Sequence, residues 1–209
     1  MAVVVVTPPQ ALVSASDAKA WAPVLKDDDD ARVDALLQVA QSAIEPPNTW
    51  LGRALGMQVL EARFDAFRDP CLYLPFPPLR EIVSLAYTDG AGVDQTIPLA
   101  SLRVLGIGTA IGSISMRGTS GWPVTDFGPE TVRVRFRAGY SADDPEARPI
   151  RHAIVLAAVQ LRALSTQDLA LRSRQTEGVG SRTWTVSDAA YQLVQRAIGD
   201  LLQPFRIFA

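Results

Sequence analysis

The sequence has few of the residues on which most hydrolase and metal chemistry depends. Its 209 residues include one cysteine, Cys71, and one histidine, His152. A single cysteine excludes an intramolecular disulfide and a cysteine-based zinc site. Any serine–histidine or cysteine–histidine mechanism would have to use His152. The composition therefore argues against most hydrolase and metalloenzyme classes, and we predict no catalytic residue and no metal ligand.

The sequence also lacks an excess of positive charge and a long apolar run. Twenty basic and 22 acidic residues leave a net charge of -2, so no overall basic field holds nucleic acid by charge alone. The apolar stretch at residues 3–6 is followed at once by Pro8 and Pro9, and no run approaches the ~20 residues that span a bilayer. We expect a soluble protein made inside the cell, with no membrane partner.

The first 50 residues predict two helices. Ser14 or Ser16 can cap a short helix that runs through Trp21. The second helix begins within the acidic run at residues 27–30, where carboxylates favour the positive end of the helix dipole. That run lacks the spacing of a calcium loop. Apolar residues then recur at three- and four-residue spacing, at Val33, Leu36, Leu37, Ala40 and Ile44.

The C-terminal part predicts two further helices. Pro149 suits the first position of a helix that continues to Leu164 with little polar surface. Residues 172–186 look irregular, and Ser187 can cap a last helix that ends before Pro204.

Residues 57–140 predict short strands instead. The clearest is 132–137, where Val132, Val134 and Phe136 alternate with arginines and are expected to face inward. The order of elements indicates an α+β fold: a helical bundle formed by the N- and C-terminal helices, with an inserted β-rich domain. We assign residues 1–50 to the N-terminal helices, 51–140 to the β-rich insertion, and 141–209 to C-terminal helices and a tail that pack with 1–50.

Two groups of arginines are candidates for contact with a partner or with DNA. The first lies on the outer face of the clearest strand and consists of Arg133, Arg135 and Arg137. The second lies in the irregular segment and consists of Arg172, Arg174 and Arg182. Such side chains could contact phosphates or an acidic partner, or they could simply be solvated.

The tail after the last helix is unusually apolar. Phe205, Ile207 and Phe208 follow the helix stop at Pro204, although terminal segments are usually polar and frayed. We expect this tail to be buried, either in its own domain or against another subunit. Trp184 and Tyr191 add aromatic side chains of the kind that anchor interfaces.

Short motifs occur in a fixed order along nearly the whole chain. They are Trp50-Leu51-Gly52-Arg53-Ala54-Leu55, Leu72-Tyr73-Leu74-Pro75-Phe76-Pro77-Pro78-Leu79, Gly121-Trp122-Pro123, residues 132–140, residues 149–154 and Leu201-Leu202-Gln203-Pro204-Phe205-Arg206. In order and spacing the sequence resembles the head–tail connector (adaptor) proteins of long-tailed phages and gene transfer agents, which carry similar "GRAL", "L-P-x-P-P-L" and "LL-x-P-aromatic-R" motifs.

The resemblance implies a structural role without a cofactor or catalysis. Such adaptors form a ring, typically of twelve subunits, between the portal protein and the stopper or tail proteins. Double-stranded DNA passes through the ring without sequence-specific contacts. The resemblance places the chain at the neck of a virion or transfer-agent particle, assembled in the cytoplasm of a bacterial host and active in DNA ejection.

The resemblance also implies that the C-terminal segment docks onto the portal. The residues expected at that interface are Trp184, Tyr191, Leu201, Leu202, Pro204, Phe205, Arg206 and Phe208.

Other functions stay open at this point. Another neck protein, a stopper or tail-completion protein, is the main alternative, although stoppers are commonly smaller and mostly β. A small enzyme that uses only carboxylates is less favoured, because no acidic pair is singled out by its spacing. A DNA-binding regulator is disfavoured by the acidic balance.

Overall fold

The chain folds into two compact units that alternate along the sequence. The computed structural model describes residues 1–46, 50–118, 121–165, 174–176, 180–182 and 188–207. A β-rich unit contains Met1–Leu12, Ile44–Asp144 and Phe205–Ala209, and a helical unit contains Val13–Ala43 and Pro145–Pro204. The fold is thus α+β, as predicted, and its sheets are antiparallel.

The helical unit is built from α1 (Ala15–Trp21), α2 (Asp30–Ser42), α3 (Arg148–Ser165) and α4 (Asp188–Leu202). Along the described parts of the unit, α1 packs on α2, α2 on α3 and α3 on α4. The helices of the two chain ends therefore share one unit. None of the described helices combines the length and the apolar content that a bilayer crossing requires.

Local sequence explains where these helices start. The Ser14 hydroxyl caps α1 by accepting a hydrogen bond from the Asp17 backbone N–H at 3.2 Å. Helix α2 begins within the acidic run, with Asp29 as its N-cap. On its apolar stripe Val33, Leu37 and Ala40 are buried, so the predicted inner face is confirmed.

The segment predicted to be irregular contains two short strands. These are β9 (Arg174–Thr176) and β10 (Gly180–Arg182), which pair antiparallel. Their pairing corrects the prediction of an irregular segment over 172–186. Hydrogen bonds between two three-residue strands leave no periodic pattern in the sequence from which they could be recognised.

The β-rich unit has a five-stranded sheet in the order β1-β2-β8-β4-β5. Its strands are β1 (Ala2–Thr7), β2 (Gln58–Phe64), β4 (Leu79–Thr88), β5 (Asp94–Thr96) and β8 (Val132–Ala138). A second sheet has the order β3-β7-β6. Its strands are β3 (Cys71–Leu74), β6 (Leu102–Leu105) and β7 (Gly112–Met116).

Both sheets contribute to one apolar core, and β8 supplies its centre. The side chains of Val132, Val134 and Phe136 are fully buried, and they pack with Leu72 and Ile114 of the smaller sheet among other residues. The predicted inward face of this strand is therefore confirmed. Burying a side chain of this size stabilises the fold by roughly 2 kcal/mol, so β8 contributes to stability at each alternate position.

The unit boundaries differ from those expected from the sequence. Residues 1–12 belong to the β-rich unit because β1 pairs with β2, with Val4 opposite Glu61 and Val5 opposite Leu60. The β-rich unit also includes Ile44–Asp144 and the tail from Phe205. The sequence analysis expected residues 1–50 and the tail to pack with the helices, because the pairing of distant strands is not visible in local periodicity.

Gly139 connects β8 to the following loop in a conformation that favours glycine. Its φ is +108°, and an added Cβ would lie 2.2 Å from the Gly56 carbonyl oxygen. That oxygen belongs to the backbone and cannot rotate away. The close approach accompanies the hydrogen bond from Tyr140 N–H to the Leu55 carbonyl at 2.6 Å.

We expect Gly139→Ala to lower the free energy of unfolding by about 2 kcal/mol or more, because backbone strain and a steric clash act together. Chemical denaturation monitored by circular dichroism measures the loss. The matched control is Gly90→Ala, where an added Cβ meets nothing within 4 Å. Equal stability of the two variants would contradict the argument.

Candidate docking and DNA-facing surfaces

The start of the C-terminal tail is held by Arg53 of the β-rich unit. The Arg53 Nε donates a hydrogen bond to the Phe205 carbonyl at 2.8 Å, and its Nη1 donates to the Tyr140 hydroxyl at 2.7 Å. The rings of Tyr140 and Phe205 meet edge to face, with centroids 6.2 Å apart. The arginine of the "GRAL" motif and the aromatic residue of the tail motif are therefore in contact.

The next two tail residues, Arg206 and Ile207, contact Trp50 and Leu51, which precede Arg53 in the chain. The Ile207 N–H donates to the Leu51 carbonyl at 2.8 Å, and the Arg206 guanidinium lies 5.8 Å from the centroid of the Trp50 ring. A backbone hydrogen bond and a cation–π contact thus fix the direction of the tail.

The residues expected at a portal interface differ in their exposure. Leu202 is fully buried, whereas Leu201 and Phe205 are half-buried. Pro204 and Arg206 are exposed. Tyr191 lies in α4, and Trp184 and Phe208 lie outside the described residues. Of the described tail, the side chains with the most accessible surface are therefore those of Pro204 and Arg206.

The three arginines on β8 are each bound to a carboxylate on another strand. Arg135 lies opposite Glu61 in the register and its Nε contacts the carboxylate at 2.6 Å. Arg137 lies opposite Glu81, with a separation of 2.9 Å.

Arg133 lies opposite another cation. It faces Arg63, and like charges in that position destabilise a sheet. Ion pairs compensate: Arg133 contacts Asp94 at 2.7 Å, and Arg63 contacts Glu61 at 2.8 Å and Glu130 at 2.9 Å. Four arginines and four carboxylates thus form one arginine ladder, which we define as Arg63, Arg133, Arg135, Arg137, Glu61, Glu81, Asp94 and Glu130.

Glu61 is the buried centre of the arginine ladder, since its exposure is only 4%. Burial raises the pKa of the Glu61 carboxyl, but hydrogen bonds from Arg135 and Arg63, together with their charges, outweigh burial and leave the pKa below its usual value. The hydrogen bond from Arg133 likewise lowers the pKa of Asp94. Both groups are therefore stabilised as carboxylates.

The arginine ladder has no net charge, and this bears on DNA. Phosphate binding depends on cations that release counterions from the nucleic acid. The guanidinium groups of the ladder are already paired with carboxylates, so we expect the outer face of β8 to attract phosphates only weakly. In the second arginine group, Arg174 lies opposite Arg182 in the pairing of β9 with β10, and Arg172 lies outside the described residues.

The residues most suited to catalysis or metal binding belong to different units. Exposed His152 belongs to α3, where its ring lies 6.0 Å from that of Trp21. Cys71 is half-buried in β3 of the other unit. Across the described residues, no group of three or more histidine, cysteine or acidic side chains is placed to hold a metal ion.

Sequence analysis missed an exposed apolar loop. Residues 122–128 lie within the connection from β7 to β8, and in them Phe127 is fully exposed while Val124 is 79% exposed. We call this loop the knob. Its base is firmly held, because the Trp122 ring stacks on Phe67 at 4.4 Å and its Nε1 donates to the Asp69 carbonyl at 3.0 Å.

Sequence analysis also missed an apolar groove in the same unit. The groove has a volume of about 470 Å³ and is lined by apolar side chains. They include Leu74, Pro75, Phe76, Pro77, Ile111 and Ile207. The Pro-rich motif forms a groove only because the loop at Ile111 lies beside it.

The arginine ladder predicts a specific loss of stability in acid. The folded state lowers the pKa of Glu61 below the ordinary value of 4.5, so its contribution is complete above that pH and disappears as the pH falls through the lower folded-state value. We expect Glu61→Gln to cost about 1–3 kcal/mol at pH 7 and progressively less as the pH falls below 4.5.

Urea denaturation at a series of pH values measures this effect. The control is Glu81→Gln, whose carboxylate is half-exposed beside Arg137 and is worth less than about 1 kcal/mol. A cost of Glu61→Gln that stays constant from neutral to acidic pH would show that the ion pairs do not stabilise the fold.

Comparison with known proteins adds to these observations. No family model and no curated protein matches the sequence. Among solved structures, the fold is similar to a chain in "Virion of native gene transfer agent (GTA) particle", with a TM-score of 0.67 and 20% identity. It is also similar to chains in "Neck of empty GTA particle computed with C6 symmetry" (TM-score 0.64, 20% identity) and "Neck of native GTA particle computed with C12 symmetry" (TM-score 0.63, 20% identity).

These similarities extend over whole chains. Each alignment covers 100% of this chain and 97% of the other. At 20% identity the similarity shows a shared fold. The resemblance to head–tail connectors is therefore confirmed at the level of the fold: both units of this chain have the architecture of chains found in gene transfer agent particles.

Proposed function

We propose that this chain is a structural neck protein, the head–tail connector (adaptor) of a phage or gene transfer agent particle. The observation that carries the proposal is the full-length similarity in fold to chains of gene transfer agent necks. The ordered motifs that resemble those of connectors support it independently. In the structure, Arg53 of the first motif donates a hydrogen bond to the Phe205 carbonyl of the last motif. The proposed site of action is the particle neck, after assembly in the cytoplasm of a bacterial host.

The proposed assembly is a ring between the portal and the stopper or tail proteins. The related neck structures were computed with sixfold and twelvefold symmetry, and we propose a ring of twelve copies here. The helices of the two chain ends would form its bundle, with the β-rich unit as the insertion. Double-stranded DNA would pass through the ring, and a charge-balanced surface such as the arginine ladder lets it slide because few phosphates are held.

Electron cryomicroscopy of particles that carry an epitope-tagged copy of this chain tests the proposal. The particles are incubated with an antibody against the tag before imaging. We expect the antibody to appear as a ring of density at the neck, directly against the portal. A ring separated from the portal by another protein would identify a stopper or tail-completion protein instead. Particles without the tag would show that the chain is not a neck protein.

The tail is the proposed contact with the portal. Hydrogen bonds to Arg53 and to the Leu51 carbonyl present its exposed side in one conformation, which reduces the entropy lost on binding. Within that exposed side, Arg206 can form a bidentate pair with a portal carboxylate. The half-buried Phe205 packs on Tyr140 of its own chain and so holds the tail in place. In a twelvefold ring, twelve such contacts together give a much higher affinity than one contact alone.

We expect Arg206→Glu to abolish binding to immobilised portal rings in surface plasmon resonance. The melting temperature should change by less than about 4 °C, because an exposed cation–π contact contributes only about 0.5–1 kcal/mol.

The matched control is Arg196→Glu, which reverses an exposed charge on α4 and should bind as the wild type does. Unimpaired binding of the Arg206 variant, or equal loss in both variants, would contradict the assignment of the tail to the portal.

A further inference from the structure

Trp50 differs from the rest of the first motif because its large side chain is exposed. Its exposed fraction is 46%, whereas Leu51, Ala54 and Leu55 are fully buried. The guanidinium of exposed Arg206 lies over its ring, 5.8 Å from the centroid. Exposed residues of the first and the last motif therefore meet as a tryptophan–arginine pair, and these two residue types are enriched among the anchors of protein interfaces.

The backbone that follows this tryptophan is held in place from inside the β-rich unit. Glu45 is only 5% exposed, and its carboxylate accepts hydrogen bonds from the Leu55 N–H at 3.0 Å and the Gly56 N–H at 2.6 Å. The Ala54 N–H donates to the Pro77 carbonyl at 3.1 Å. These bonds fix the loop in one conformation, so a partner that binds beside it does not have to order it.

The tail passes so close to this loop that a side chain at position 52 would crowd it. Gly52 has a φ of +64°, and an added Cβ would lie 3.3 Å from the Ile207 carbonyl oxygen. The Ile207 N–H in turn donates to the Leu51 carbonyl at 2.8 Å. These two close backbone approaches keep Arg206 next to Trp50.

Stacking on an indole and binding to a carboxylate use different parts of a guanidinium. The ring attracts the face of the cation, whereas a carboxylate binds N–H groups that lie in the guanidinium plane. The two interactions are therefore compatible. Because arginine has a flexible side chain, contact with the ring also reduces the rotamer entropy that would otherwise be lost on binding.

We propose that Trp50 is a positioning residue of the portal contact: its indole orients the Arg206 guanidinium toward a carboxylate of the portal protein. The inference rests on the proposed function, and it extends the contact surface from the tail to the first motif. A portal surface that presents an exposed aspartate or glutamate side chain fits this pair in charge.

Nuclear magnetic resonance tests the orientation of the arginine without the portal. In a chain labelled with ¹⁵N-arginine, the ring current of the indole should displace the Arg206 Nε–Hε signal, which Arg206→Met identifies by its loss. Trp50→Leu should return that signal to the position of an exposed arginine such as Arg196. Trp50→Phe retains an aromatic face and should keep part of the displacement.

Surface plasmon resonance on immobilised portal rings measures the effect on binding. Trp50→Leu should weaken the affinity about two- to fivefold, the factor expected when an exposed cation–π contact is lost. Trp50→Phe should restore most of that affinity. In an Arg206→Met background, Trp50→Leu should have no further effect, because a positioning residue acts only through the residue that it positions.

The matched control is Trp21→Leu in the helical unit. Trp21 is 41% exposed, and the Arg151 guanidinium lies 5.7 Å from the centroid of its ring, so this variant removes a similar pair and should bind as the wild type does. The proposal is wrong if Trp50→Leu leaves the Arg206 signal in place, if both tryptophan variants weaken binding equally, or if Trp50→Leu weakens binding to the same extent in the Arg206→Met background.

Failure of this inference is distinguishable from failure of the proposed function. Loss of binding in Arg206→Glu but not in Trp50→Leu keeps the portal contact and rejects the role of Trp50. A wild-type chain that does not bind portal rings rejects the portal contact, and the positioning role with it.

Discussion

The central strand β8 is the constraint on which the β-rich unit depends. Alternation sends its valines and Phe136 into the core that the two sheets share, and it sends its arginines to the opposite face. An unpaired row of three cations on one strand would repel, so carboxylates from neighbouring strands complete that face. A single strand thus contributes to an apolar core on one side and, on the other, to a surface of paired charges that has no net charge.

Each end of β8 leads into a different feature of the β-rich unit. At the Val132 end, the connection from β7 passes through the knob before it enters the strand. At the Ala138 end, Gly139 and Tyr140 bring the strand against the loop that contains Arg53, which in turn holds the tail.

The proposed neck function would make contrasting demands on the surface. DNA must pass without being held, which suits charges that are already paired. Neighbouring proteins must be held firmly, which suits a preorganised feature such as the tail held by Arg53. In the proposed function, firm contact and weak contact would therefore use different residues of the same β-rich unit.

The sequence by itself determined the local structure. Helix caps, helical stripes and the strict alternation of β8 follow from interactions within a few residues, and the structure has these elements close to the predicted positions. The order of motifs also predicted a fold that this chain shares with chains of gene transfer agent particles. The tertiary structure alone decided which distant segments meet: β1 on β2, the tail on Arg53, carboxylates beside the arginines, and a groove assembled from the Pro-rich motif, Ile111 and Ile207. These contacts join residues up to 152 positions apart, and local periodicity carries no information about such pairings because it reports only which face of an element is apolar.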